Sequence, residues 1–222
     1  MIPELRNQRW EILAGAVLTQ NTAWSNVEQA LERLRAADIT SPEKVAQAET
    51  PVLAEAIRPS GYYNQKARKL QILAQACLDA GWLPQQQPEE PSRTSSPTRH
   101  ELLALWGIGP ETADCILLYG FGIPVFVIDA YTRRICSRIF AEHPPEDMPQ
   151  TDTASYTDMQ RWFTDQLPRD IVLYNEYHAV LVSHAANYCR ARPLCAECPI
   201  GPQGSHYCPG YPAPRRDHEI TQ

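Results

Sequence analysis

Three groups of residues in this chain have the types and spacings that do chemistry. The first is a set of four cysteines, Cys189-x5-Cys195-x2-Cys198-x9-Cys208. Four thiolates can close a tetrahedral zinc site or hold a four-iron, four-sulfur cube. A zinc knuckle pairs two close doublets, and here only Cys195 and Cys198 form one. The longer reaches suit the larger cube, so the spacing favours the cluster, with zinc as the alternative. Pro193, Pro199 and Pro209 stiffen the loop around these ligands. The second group is one residue, Asp129, a lone carboxylate at the start of a helix. The third is the turn Gly107-Ile108-Gly109.

The elements that must position them lie mostly between Glu101 and Arg134. An apolar helix with Leu102, Leu103 and Leu105 runs into the glycine turn. A second helix follows, with Pro110 suited to its first turn and Ile116, Leu117 and Tyr119 on one face. Gly120 and Gly122 end it, and a short buried run from Val125 to Ile128 delivers Asp129 to the next helix. Gly107 and Gly109 let the backbone approach a ligand closely, and the second helix opens with free N–H groups. A phosphate fits there without any basic side chain. An ordinary connection between two core helices has the same spacing. Asp129 could likewise be a simple N-cap, and the two roles are compatible.

The chain has 222 residues, 43% of them apolar, enough for one large or two small domains. No apolar run is long enough to cross a membrane and the N-terminus lacks a signal-peptide pattern, so the expectation is a soluble, intracellular protein; a monomer is expected. The net charge of −6 argues mildly against a nucleic-acid partner. Charge is unevenly placed, however: Arg58, Lys66, Arg68 and Lys69 form one basic stretch, and Arg133, Arg134 and Arg138 another. Of the seven cysteines, Cys77, Cys115 and Cys136 stand alone in helical patterns and read as small core residues. The crowding of the other four, without a secretory signal, suggests a metal site rather than disulfides.

Trp10 to Leu18 has helical spacing, Thr19-Gln20-Asn21-Thr22 is a polar break, and a helix then runs to about Ala37. Ser41-Pro42 and Thr50-Pro51 each read as an N-cap followed by proline at the first helical position. Pro59 to Tyr63 is a turn, and Asn64 to Ala80 a helix closed by Gly81. Pro84 to Pro97 reads as an exposed loop. Thr98-x-x-Glu101 resembles a capping box. Helices follow over Ala130–Phe140, Tyr156–Leu167 and Ile171–Tyr188, with a proline-rich loop from His143 to Gln150. No window alternates as a strand. The fold class is all-α, with about ten helices.

These motifs together resemble the endonuclease III branch of the helix-hairpin-helix DNA glycosylases. LWGIGPETAD resembles that family's LPGVGRKTAN hairpin, and VIDAYTRRI its VDTHIFRV. LTQNT is similar to LSAQAT, and GYYNQKA to GLYNSKA. The cysteine tail resembles the family's C-x6-C-x2-C-x5-C cluster loop with different spacings. The resemblance covers nearly the whole chain, and the motifs stand in the family's order.

It implies a two-lobed endonuclease III-like fold: a six-helix barrel over residues 13–123, and a cluster lobe formed by 1–12 with 124–222. It implies double-stranded DNA containing a damaged base as partner, with the damaged nucleotide flipped out of the duplex. The hairpin near Gly107 and Gly109 would hold a backbone phosphate. Gln20 would fill the gap left in the stack, with Asn21 beside it, and Lys66 and Arg133 would contact DNA. Asp129 matches the catalytic aspartate, whose anion stabilises positive charge on the deoxyribose as the base leaves and can orient water. Cys189, Cys195, Cys198 and Cys208 would hold a 4Fe-4S cluster, structural rather than a redox relay, with Arg190 and Arg192 placing that loop near phosphate.

One departure matters. Bifunctional members carry a hairpin lysine that forms a Schiff base with the sugar. The matching position here is Glu111, and the chain has only three lysines, Lys44, Lys66 and Lys69. A carboxylate cannot form an imine, so the expectation is a monofunctional glycosylase with water as nucleophile. The GIGPETAD and DAY elements resemble the subgroup related to 3-methyladenine glycosylases, which suggests an alkylated purine. Such a cationic base stacks well on aromatic rings. Tyr131 is the first candidate for the pocket wall, ahead of Trp24, Trp106, Tyr62 and Tyr63. An oxidised-pyrimidine enzyme with weak lyase activity, removal of mispaired adenine, and a catalytically silent DNA binder are the alternatives.

Overall fold

A computed structural model describes residues 6–83, 95–201 and 208. Most of the loop expected between Pro84 and Pro97 lies outside the described residues, as does Pro209. The described residues form ten α-helices and no strand, as the residue spacing predicts. The chain divides into two compact units, Met1–Val125 and Phe126–Gln222.

The first unit contains α1 (Arg6–Leu18), α2 (Trp24–Ala36), α3 (Pro42–Gln47), α4 (Thr50–Ala56), α5 (Tyr63–Asp79), α6 (Arg99–Ala104) and α7 (Pro110–Cys115). All of α1 belongs to this unit, including the residues before 13, and Trp10 is part of its core. The core is aliphatic: Leu13, Val17 and Leu18 from α1 meet Leu53, Leu70, Leu73, Ile116 and Leu117. α7 passes directly into a π-helical turn, Ile116–Gly120, a form that inserts one extra residue into the helical ladder. α1 packs against this turn. A Cβ at Gly120 would lie 2.5 Å from Leu13 Cδ1, so any larger residue there would make the Leu13 side chain shift.

Local signals act largely as read. Ser41 Oγ accepts from the Lys44 N–H with Pro42 in the first turn. Thr98 and Glu101 form a reciprocal capping box at the start of α6. Thr50 departs from its expected role: Glu49 is the N-cap of α4, without a side-chain bond, and Thr50 is already helical. Its hydroxyl donates to Gln71 Oε1 of α5 at 2.9 Å instead. A tertiary partner displaces the local capping bond.

The second unit contains α8 (Ala130–Ile139), α9 (Tyr156–Gln166) and α10 (Ile171–Asn187). Its core is aromatic. Phe126 stacks on Phe163 with centroids 4.4 Å apart and meets Tyr174 and Tyr177 edge-on. Such pairs add to simple burial through quadrupole alignment. The extended segment Phe126–Ile128 has no sheet to pair with, so side chains satisfy part of its backbone. Gln160 Nε2 donates to Phe126 O at 2.6 Å, and the Ile128 N–H donates to Tyr156 Oη at 3.3 Å. α9 therefore holds the segment that presents Asp129.

Candidate active site and cysteine centre

In the first unit the glycine turn is gripped from two sides. Gln20 Nε2 donates to Gly107 O at 3.1 Å and to Thr112 Oγ1 at 3.0 Å, and Gln20 Oε1 accepts from Lys69 Nζ at 2.5 Å. The Lys69 stem crosses Gly107, where a Cβ would lie 2.5 to 2.7 Å from three of its carbons. Gly107 has φ +84, a conformation that favours glycine. Gly109 is extended with φ −90 and needs no special freedom. Its neighbourhood is open, with nothing within 4 Å of a built Cβ. Arg99 pairs with the fully buried Asp114 through Nε at 2.7 Å, tying α6 to α7 behind the turn.

Two of the residues expected to meet DNA are engaged within the protein. Gln20 does not stand clear of the protein: its amide is folded onto the hairpin, and filling a gap in a base stack would require breaking those bonds. Lys66 does not face outward: it is 1% exposed, with Nζ donating to Leu18 O at 2.8 Å and Ser60 O at 2.6 Å. The lysine at the hairpin is Lys69, one turn further along α5. Asn21 remains exposed, with φ +54. Glu111 lies exposed in the first turn of α7. Trp106 is half exposed beneath the guanidinium of Arg68, 5.0 Å from its ring centroid. Trp24 and Tyr62 are also exposed.

In the second unit Asp129 caps α8. Its Oδ1 accepts from the Thr132 N–H at 2.6 Å and the Thr132 hydroxyl at 2.7 Å. Its Oδ2 lies 3.5 Å from His178 Nε2, on α10. Burial pushes the carboxyl up, but His178 and the Thr132 donors together outweigh it and hold Asp129 below the ordinary carboxylate value. An anion is thus kept charged in a water-poor place, where charge acts strongly. Tyr131 is 37% exposed with the Arg134 guanidinium 5.0 Å over its ring. Arg133 is committed inward, its Nη1 donating to Thr151 O at 2.7 Å and Ala154 O at 3.0 Å. This pins the loop before α9 instead of offering a free cation to a phosphate.

Cys189, Cys195, Cys198 and Cys208 line one cavity, with Ile135, Ile139 and Ile200 on its walls. Arg138 Nη1 donates to Cys189 Sγ at 3.1 Å. The Cys195 thiol is pushed up by burial and then by its neighbours Cys198, Cys208 and Cys189. The sulfurs therefore sit close enough to repel one another as thiolates, which a cationic centre would relieve. Among the described residues no group of three or more ligating side chains is arranged to hold a metal ion.

Sequence reasoning singled out neither Thr132 nor His178, nor the grip of Lys69 on Gly107. Thr132, three residues past an N-cap, has a local signal for the backbone bond. His178 shares the buried face of α10 with Tyr174, but its approach to Asp129 spans 49 residues and leaves no local trace. No helix is long and apolar enough to cross a membrane among the described residues.

The profile of the HhH-GPD superfamily base excision DNA repair proteins matches residues 14–160. A protein of Methanocaldococcus jannaschii bearing the name DNA repair glycosylase is 38% identical over 195 residues, covering 86% of this chain and 83% of its own length. Endonuclease III of Sulfolobus acidocaldarius is 29% identical over 210 residues, covering 93% and 83%. The crystal structure of the 3-methyladenine DNA glycosylase of H. pylori, bound to 1,N6-ethenoadenine, is 32% identical with a TM-score of 0.59, covering 84% of this chain and 76% of that one. With hairpin and capped aspartate both inside the matched region, the chain belongs to the HhH-GPD superfamily of base excision DNA repair proteins.

Proposed function

We propose that this protein is a monofunctional DNA N-glycosylase that removes a damaged base from duplex DNA, with an alkylated purine as its first substrate class. The observation that carries the reading is Asp129: a buried carboxylate held ionised, with one oxygen saturated by Thr132 and the other only distantly engaged. The bond between C1′ and the base nitrogen breaks, and its electron pair leaves with the base. Positive charge develops on the sugar, where Asp129 stabilises it, and a water oxygen bonds to C1′ as its proton passes to Asp129 or to solvent. A purine alkylated on N3 or N7 is already cationic and leaves as a neutral base, so little acid help is needed. The similarity to a 3-methyladenine DNA glycosylase of H. pylori supports that substrate class. Tyr131, exposed beside Asp129, is our candidate for the stacking surface.

Glu111 supports hydrolysis over lyase chemistry, because the first turn of α7 offers a carboxylate where an amine is required. The amides around Gly107 and Gly109 serve as a backbone-phosphate contact, with Asn21 as a DNA-facing residue. The four cysteines fit a 4Fe-4S cluster: the donor set is all thiolate and the walls are apolar. Such a cluster would supply a structural clamp for the C-terminal loop, and no step of base removal needs it.

The test is a panel of single-lesion duplexes scored separately for base release and strand cleavage, with borohydride present in a parallel set. Wild type should release an alkylated purine, leave an abasic site and form no trapped adduct. Asp129→Asn should lose about a thousandfold or more in release, with duplex affinity retained. Binding without release by either protein would establish a silent binder instead. A borohydride adduct that survives Asp129→Asn would refute the water mechanism.

A further inference from the structure

The two oxygens of Asp129 are held differently. Two donors of Thr132 at 2.6 and 2.7 Å saturate Oδ1. Oδ2 faces the His178 ring, with Nε2 at 3.5 Å and both side chains only 11% exposed. α8 and α10 pack against each other along this contact, so the ring is carried by a rigid element and not by a loop. Asp129 belongs to a motif of the family, whereas His178 belongs to none of the matched motifs.

We propose that His178 is a positioning residue for base excision: from α10 it holds Asp129 Oδ2 in place while leaving that oxygen able to face the reacting sugar. The proposal rests on the reading of Asp129 as the catalytic carboxylate. The physical reason lies in the burial. A carboxylate withdrawn from water tends to take a proton, and a protonated Asp129 could neither stabilise a sugar cation nor orient water. Thr132, from α8, supplies neutral donors. The ring that faces Oδ2 comes from α10 and is that of His178. A separation of 3.5 Å is long for such a contact, so the Oδ2 lone pairs are not used up as those of Oδ1 are. The division of labour is anchoring through Oδ1 and availability through Oδ2.

The test is single-turnover base release across a pH series for wild type, His178→Leu and His178→Gln, with duplex affinity and melting measured in parallel. His178→Leu should lose about tenfold at the acidic end and only about twofold at the alkaline end, moving the acid limb up by roughly one pH unit. His178→Gln restores an N–H donor and should return the limb most of the way toward wild type. Duplex affinity should change by less than about twofold, since binding and chemistry are separate. An equal loss in both variants at every pH would mean a merely structural role and overturn the proposal. So would a wild-type profile in His178→Leu while Asp129→Asn is inactive. If Asp129→Asn is as active as wild type, the underlying reading fails instead. Should His178→Leu not melt cooperatively, His178→Met is read by the same criteria.

Discussion

Lys66 is a charged group placed where charge is costly. Its Nζ reaches Leu18 O at the end of α1 and Ser60 O in the turn before α5, so one side chain ties the end of α1 to that turn. Burial, and then the charge of Lys69, lowers its pKa from 10.5 to about 8. The folded protein thus binds this proton less tightly than the unfolded chain. Between pH of about 8 and 10.5 the unfolded chain keeps the proton and the folded one gives it up, so this group makes stability rise with pH across that window. Lys66→Met should abolish that rise in urea denaturation series. It should also cost about 1–3 kcal/mol near neutral pH, because two buried carbonyls lose their donor. The match to a family motif identified Lys66 as important, but whether its ammonium faces water or the backbone depends on what α1 does 48 residues earlier.

At the scale of elements, the hairpin was legible because its determinants are local. A capping box, a glycine at positive φ and a proline in the first helical turn each act within a few residues. The grip on the hairpin was not legible, since Gln20 and Lys69 arrive from loops and helices far along the chain. Gly107→Ala tests that grip. The φ of +84 costs a non-glycine residue about 1 kcal/mol. The new methyl would also displace the Lys69 stem, freeing its ammonium from Gln20. Denaturation should show a loss of about 1–2 kcal/mol, and duplex affinity should fall several-fold even with Asp129 untouched. The π turn after α7 belongs to the same category. Its glycine was readable as a helix end, yet its physical role is to let Leu13 of α1 close onto the helix.

At the scale of the whole molecule, the two units differ in how they are held. The first is closed by a continuous aliphatic core. The second has a smaller aromatic core and a loop of four cysteines clamped by Arg138, whose guanidinium donates to Cys189 Sγ and to the carbonyls of Arg190 and Ala191. Purified protein should be brown and carry about four irons per chain, and one zinc in their place would assign the alternative centre. Cys198→Ser should lower metal content and speed amide exchange in α8 and α10, while the first unit keeps its protection. Helix positions, the all-α class, the hairpin, the capped aspartate and the crowding of four cysteines were determined by the sequence alone, because spacing and short-range hydrogen bonding specify them. Tertiary structure alone decided what those residues have left to offer. It turned Lys66 and Arg133 inward, folded Gln20 onto the hairpin, and set His178 against Asp129. The physical reason is that a donor's availability depends on which distant carbonyls and carboxylates burial brings within about 3 Å of it, and no window of neighbouring residues contains that information.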